Sequence, residues 1–181
     1  MPDSAAPAIL DGDELETWSS LATLLEWLPA ALDAQLVGDS DVTHFEYGVL
    51  YALAHAPEAT LRMSVLAGYA NSSLSRLSRA AARLEKRGWM HRTPDPADGR
   101  FTLAIITDAG LAKVDQATPR HVRTVRRLVL DPLTTAQTQQ LKEISRRILG
   151  AIREEEGWRP GAVAHTVSRP PASRQRTSRA G

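Results

Sequence analysis

Apolar residues recur along most of this chain in a helical rhythm and alternate over one short stretch. Leu15, Trp18, Ala22, Leu25, Leu32 and Leu36 keep a three-four spacing, widened by Leu21, Leu24 and Leu28, and predict a long amphipathic helix. Pro29 falls inside it and is expected to kink or split it, because proline lacks the N–H that the helix ladder needs. A second helix is expected from a Thr43 cap through Tyr47, Leu50, Tyr51 and Leu53, ending before Pro57. Ser64 can cap a short third helix over residues 65–69. The fourth, residues 71–87, opens on Asn71-Ser72-Ser73, carries Leu74, Leu77, Ala81 and Leu84 on one face, and stops at Gly88. At about 100° per residue, Ser72, Ser75, Arg76, Arg79, Arg83 and Lys86 fall on the opposite face.

Two strand-like runs follow, residues 89–93 and 101–107. In the second, Phe101, Leu103 and Ile105 alternate with Thr102 and Ala104, as a half-buried strand requires. Pro94-Asp95-Pro96-Ala97-Asp98-Gly99-Arg100 joins them with strong turn chemistry. Thr107 can cap a long helix through Leu111, Val114, Val122, Val125 and Val129, which Pro119 is expected to interrupt. Asp131-Pro132-Leu133-Thr134 breaks the pattern, and a last helix carries Leu141, Ile144, Ile148 and Ile152 on one side. Residues 1–11 read as a loose arm. Residues 157–181, rich in Pro, Ser, Thr and Arg, read as a disordered basic tail. No internal repeat is visible.

Charge sharpens this picture. Residues 1–61 hold 11 acidic residues and no Lys or Arg, whereas residues 62–100 hold 8 basic and 3 acidic residues. The net charge of +1 therefore conceals a positive field that sits where the fourth helix and the hairpin are, with five further arginines and no acid from residue 159 onward. A helix with a basic outer face beside a hairpin with a basic tip suits DNA, one entering the major groove and the other reaching the minor groove. The excess of Arg over Lys has a duller source, the codon usage of a GC-rich genome. The arginine tail adds nonspecific DNA affinity or is an inert extension; composition does not choose between them.

Other chemistries find little support. Cysteine is absent, which excludes disulfides, thiolate catalysis and cysteine-ligated zinc. His44, His55, His91, His121 and His165 lack metal-ligand spacing. Ser72, Ser73, Ser75 and Ser78 have no paired histidine, and there is no glycine-rich phosphate loop, so neither an enzyme nor a cofactor is expected. Without an apolar run of 18 residues or a signal-peptide pattern at the start, a cytoplasmic protein is the simplest expectation.

The order of parts resembles the MarR family of bacterial winged-helix transcription regulators over roughly residues 15–152. The resemblance is carried by Thr43-His44-Phe45-Glu46-Tyr47-Gly48-Val49-Leu50, Met63-Ser64-Val65-Leu66-Ala67, Leu84-Glu85-Lys86-Arg87-Gly88-Trp89, residues 95–100, and Ile106-Thr107-Asp108-Ala109-Gly110. It implies a mainly α fold with a small β-hairpin wing. Residues 43–107 would be the winged helix-turn-helix module, framed by dimerisation helices over residues 12–42 and 108–156. It also implies a homodimer whose fourth helix lies in the major groove, with Arg100 as the wing arginine in the minor groove and Asp98 as the acid orienting it. Ser72, Ser75, Arg76 and Arg79 match positions expected to face bases and phosphates. Glu46 stands where the family often has Gln. Many members answer to small aromatic acids bound between the dimer helices and the winged module.

The candidate DNA-binding set is thus Asn71, Ser72, Ser73, Ser75, Arg76, Arg79, Arg83, Asp98 and Arg100. Trp18, His44 and Tyr47 are candidates for an effector cleft. The expected function is a homodimeric, ligand-responsive repressor of a palindromic operator. The alternatives are a solvated turn at Asp98 and Arg100, core packing for His44, and a winged protein-interaction scaffold with no DNA role, presenting its acidic first third.

Overall fold

Capping and burial decide where each helix starts. The computed structural model describes residues 9–155; the expected basic tail and residues 1–8 of the expected arm lie outside them. Asp11 and Glu14 form a reciprocal capping box at the head of α1 (Gly12–Ser40), and Thr43 with Glu46 does the same for α2 (His44–Ala54). A 3-10 turn at Pro57–Ala59 leads into β1 (Thr60–Arg62), which passes directly into α3 (Met63–Tyr69). Then come α4 (Leu74–Lys86), the hairpin strands β2 (Met90–Pro94) and β3 (Thr102–Ile106), α5 (Asp108–Val125) and α6 (Thr135–Glu155). The protein is mainly helical with a small winged sheet.

The sheet is antiparallel in the order β1-β3-β2, with Thr60 opposite Ile105 and Met90 opposite Ile106. Sequence patterning missed β1, because three residues are too few to show alternation. It also placed the α3 cap at Ser64. The helix instead begins at Met63 with no side-chain cap, since β1 pairs up to Arg62 and Met63 is already buried.

Both prolines sit inside continuous helices: Pro29 in α1 and Pro119 in α5. The expected interruptions are absent; at Pro119 tertiary packing on both sides offsets the lost hydrogen bond, which costs about 3 kcal/mol in an isolated helix, whereas in α1 the buried residues all follow Pro29. In α5, buried Val114 and Ala117 precede Pro119 and buried His121 and Thr124 follow it. The real break comes later, at a π-helical turn over Arg126–Leu130.

One core joins the winged module, with Val49, Leu50 and Leu53 of α2 meeting Leu66, Leu77, Leu84, Met90, Ala104 and Val114. A smaller cluster of Leu36, Val42, Tyr47 and Ala117 ties α1 and α5 to α2, and Trp89 touches both clusters. Trp89 also explains Gly110. A Cβ built there would lie 2.0 Å from the Trp89 carbonyl oxygen and 2.6 Å from Ile106 Cγ1. Thr107 completes this corner, donating its hydroxyl to the Gly88 carbonyl and accepting from the Gly110 N–H. Gly110→Ala is therefore expected to destabilise the fold by about 1–3 kcal/mol, because backbone must move to make room. Urea unfolding checks this, and an unchanged midpoint would contradict the close approach.

The terminal helices keep an apolar face uncovered. In α1, Leu15, Trp18 and Leu25 are exposed although they continue the stripe that buries Leu32 and Leu36. In α6, Ile144, Ile148, Leu149 and Ile152 are exposed, and the helix makes only marginal contact with the other described elements. Among the described residues no helix is long and apolar enough to cross a membrane.

Candidate nucleic-acid interface

The basic face predicted from periodicity is built on α4. Asn71 adopts a left-handed conformation (φ 40°), which turns the chain from α3 into the cap. Ser73 is that cap, its hydroxyl accepting from the Arg76 N–H, while the Ser72 hydroxyl donates to the Ser73 carbonyl. The helix thus starts three residues later than the pattern suggested. Asn71, Ser72 and Ser73 form the turn before it.

Gly88 ends α4 in the left-handed region (φ 72°), with Trp89 N–H donating to the Leu84 carbonyl and Gly88 N–H to that of Glu85. Leu77, Ala80, Ala81 and Leu84 are buried, whereas Leu74, assigned by spacing to the same face, is 54% exposed. Leu74 lies one turn ahead of the first core contact, and helix side chains lean toward the N-terminus, so it projects past the core. It shares a shallow open concavity with Ser75, Ser78, Arg79 and Ala82.

The arginines of this face divide by partner. Arg76 stacks over Phe45, 4.5 Å from the ring centre. Arg83 donates through Nε to Glu46 Oε1 at 2.7 Å, while the other Glu46 oxygen accepts from the Thr43 N–H. Burial alone would raise the Glu46 carboxyl, but the Arg83 guanidinium and Thr43 hold it below its usual value. An acid at this position thus caps α2 and anchors α4, and Arg83 is partly committed within the fold. Arg79 has no hydrogen-bond or ion-pair partner among the described residues and points its charge outward.

Arg92 on β2 joins the hairpin to α4, donating to Glu85 at 2.6 Å and to the Ser78 hydroxyl at 3.1 Å. At the tip, Arg100 grips Asp98 through Nε and Nη2, the latter at 2.7 Å, yet its side chain stays 86% exposed. The carboxylate of Asp98 also accepts from the Arg100 N–H, so the guanidinium is oriented without being covered. Asp95 steadies the loop from below: it is buried, accepts from the Ala97 N–H, and pairs with Arg62 of β1 at 2.7 Å. Arg62 lies over Phe101, 4.4 Å from the ring centre. Sequence reasoning missed Arg62, Asp95, Arg92 and Glu85 as supports, because each pair spans two elements and leaves no mark in local spacing.

A separate polar cluster lies where α1, α2 and α5 meet. Tyr47 is buried and shares a hydrogen bond with Thr118, its ring 4.8 Å from that of His121. His44 lies 5.6 Å from His121; its backbone N–H donates to Asp33, and its Nδ1 is buried with no hydrogen-bond partner among the described residues. Trp18 is not part of this cluster. It is exposed, and about 22 Å of helix separates it from Asp33. His121, read from sequence as one of five scattered histidines, takes its place. No group of three metal-ligating side chains comes together among the described residues.

Burial lowers the pKa of both histidines; repulsion from His44 adds to the effect on His121, while Asp33 partly opposes it at His44. The unfolded chain then binds more protons below pH 6.5, so stability is full above that value and is lost as pH falls through the depressed values. The unfolding midpoint is expected to drop between pH 7.5 and about pH 5.5, and a His44→Leu, His121→Phe double variant is expected to flatten that slope. A slope unchanged in the double variant would place its origin elsewhere. Glu46 and Glu85, both held low, act in a separate window below pH 4.5.

A two-helix turn unit followed by a hairpin whose second strand, β3, also pairs with β1 defines a winged helix-turn-helix protein. The model of the MarR family matches residues 40–100. The chain is 40% identical to Sco3205, a MarR family transcriptional regulator from Streptomyces coelicolor solved in complex with DNA. That match covers 82% of this chain and 92% of that one with a TM-score of 0.79. The chain belongs to the MarR family of transcriptional regulators. Curated relatives include the HTH-type transcriptional regulator YdcH of Bacillus subtilis, 30% identical over 87 residues, and the transcriptional repressor MprA of Escherichia coli, 27% identical over 119. These alignments cover 46% and 66% of this chain, and 58% and 66% of the two relatives. The relatives are regulators, not enzymes.

Proposed function

We propose that the protein is a homodimeric transcriptional repressor that binds a palindromic operator and is released by a small ligand. One observation carries the DNA-binding part: an outward α4 face bearing Arg79, which has no partner among the described residues, is tied through Arg92 to a wing whose exposed Arg100 is aimed by Asp98. Ser75 and Arg79 would face base edges in the major groove. Ser72, Ser73 and Arg76 would face phosphates, Asn71 setting the turn and Arg83 holding the helix in place. Arg100 would enter the minor groove.

The uncovered stripes of α1 and α6 support a second copy as partner, since exposed apolar faces of this length rarely stay in water. A two-fold dimer would set two reading helices about 34–36 Å apart, one turn of DNA. Relief by a ligand draws on the α1–α2–α5 junction, where the buried Nδ1 of His44 offers a free polar group beside Tyr47 and His121. A small aromatic acid there would shift the dimer toward a spacing that no longer fits the site. That MprA is a repressor and that Sco3205 was solved with DNA both agree with this reading.

The test is selection of bound sites from random duplexes, followed by gel shifts at several salt concentrations, with and without candidate aromatic acids. Enrichment of an inverted repeat whose affinity falls steeply with salt supports the reading. No salt-dependent affinity for any duplex would leave the winged scaffold in its place.

A further inference from the structure

The exposed Leu74 is a side chain that the fold does not use. It stands at the first position of α4, beside Ser75, Ser78 and Ala82, whose short side chains leave the helix end free to approach a surface closely. The helix that carries it makes at most marginal contact with α1 and α6, whose uncovered stripes form the seam proposed for a second copy. Base edges are contacted by the N-terminal residues of a recognition helix. Among the groups exposed on those edges in the major groove, the apolar one is the 5-methyl of thymine.

We propose that Leu74 is a specificity-determining residue that reads a thymine 5-methyl, one in each half of the operator. The proposal rests on the DNA-binding reading above and adds the base it selects. Arg79, one turn further along the same concavity, supplies donors suited to guanine O6 and N7, so Leu74 and Arg79 together would favour a thymine near a guanine.

Replacing thymine by uracil removes that methyl and leaves the base pairing intact. The operator enriched from random duplexes is remade with uracil at each thymine in turn, and affinities are measured for the protein and for Leu74→Ala. Removing contact with one methyl is expected to weaken binding about fourfold, and about 15-fold when both halves are replaced. Leu74→Ala is expected to bind the thymine and uracil forms equally at that position while keeping any preference elsewhere. Because Leu74 is exposed, the variant should keep the parent's unfolding midpoint.

Indifference of the unmodified protein to every uracil replacement overturns the assignment. So does a Leu74→Ala variant that still prefers thymine at the same position. A protein that enriches no sequence fails at the earlier step, and the DNA-binding reading falls with it.

Discussion

Replacing Ile144 and Ile148 together with Glu is expected to give a monomer that binds its operator about a hundredfold or more weaker than the parent. The two positions are one helical turn apart on the uncovered face of α6, where nothing among the other described residues packs strongly. In a lone chain the new carboxylates would be solvated, and Glu is a better helix former than Ile, so the fold should survive. Between two copies the same carboxylates would be buried in an apolar seam without partners, at a cost no rim contact can offset. Losing the second copy removes the second half-site contact. Light scattering after size exclusion reads the oligomer, and gel shift reads the affinity. A variant that remains a dimer with parental affinity would place the interface elsewhere.

Arg100→Ala is expected to lower affinity on the order of tenfold per half-site, with little change in which sequence is preferred. Its guanidinium is the exposed charge at the wing tip and among the described residues bonds only Asp98, so the unfolding midpoint should stay put. Two companions separate charge from aim. Arg100→Lys keeps the charge but loses the two-pronged grip on Asp98, and Asp98→Asn keeps the arginine but weakens its orientation. Both are expected to fall between the parent and Arg100→Ala. If all three bind as the parent does across a salt series, Arg100 makes no contact with DNA.

Much of this architecture is readable from local residue order. The Thr43 cap and the Gly88 stop lie where the sequence puts them, because capping depends on neighbours within four residues. Both hairpin strands fall within one or two residues of expectation for the same reason. The pairing of Asp98 with Arg100 was legible too, being a contact across two residues of one turn.

What failed depended on partners far away in the chain. Pro119 looks like a break until the packing on either side of it is seen, and α1 likewise runs on through Pro29 to the buried Leu32 and Leu36. Leu74 shares a helical-wheel position with core residues, and only the end of the core one turn later exposes it. His121 meets His44 and Tyr47 across more than seventy residues, as Glu46 meets Arg83 across 37, and no periodicity encodes such meetings. Sequence alone therefore settled the class of fold, the basic helix and the wing, since these follow from short-range rules of capping, turn chemistry and apolar spacing. Tertiary structure alone decided which arginines find partners among the described residues, that Leu74 faces outward and which histidines come together, because those outcomes depend on what the folded chain brings into contact.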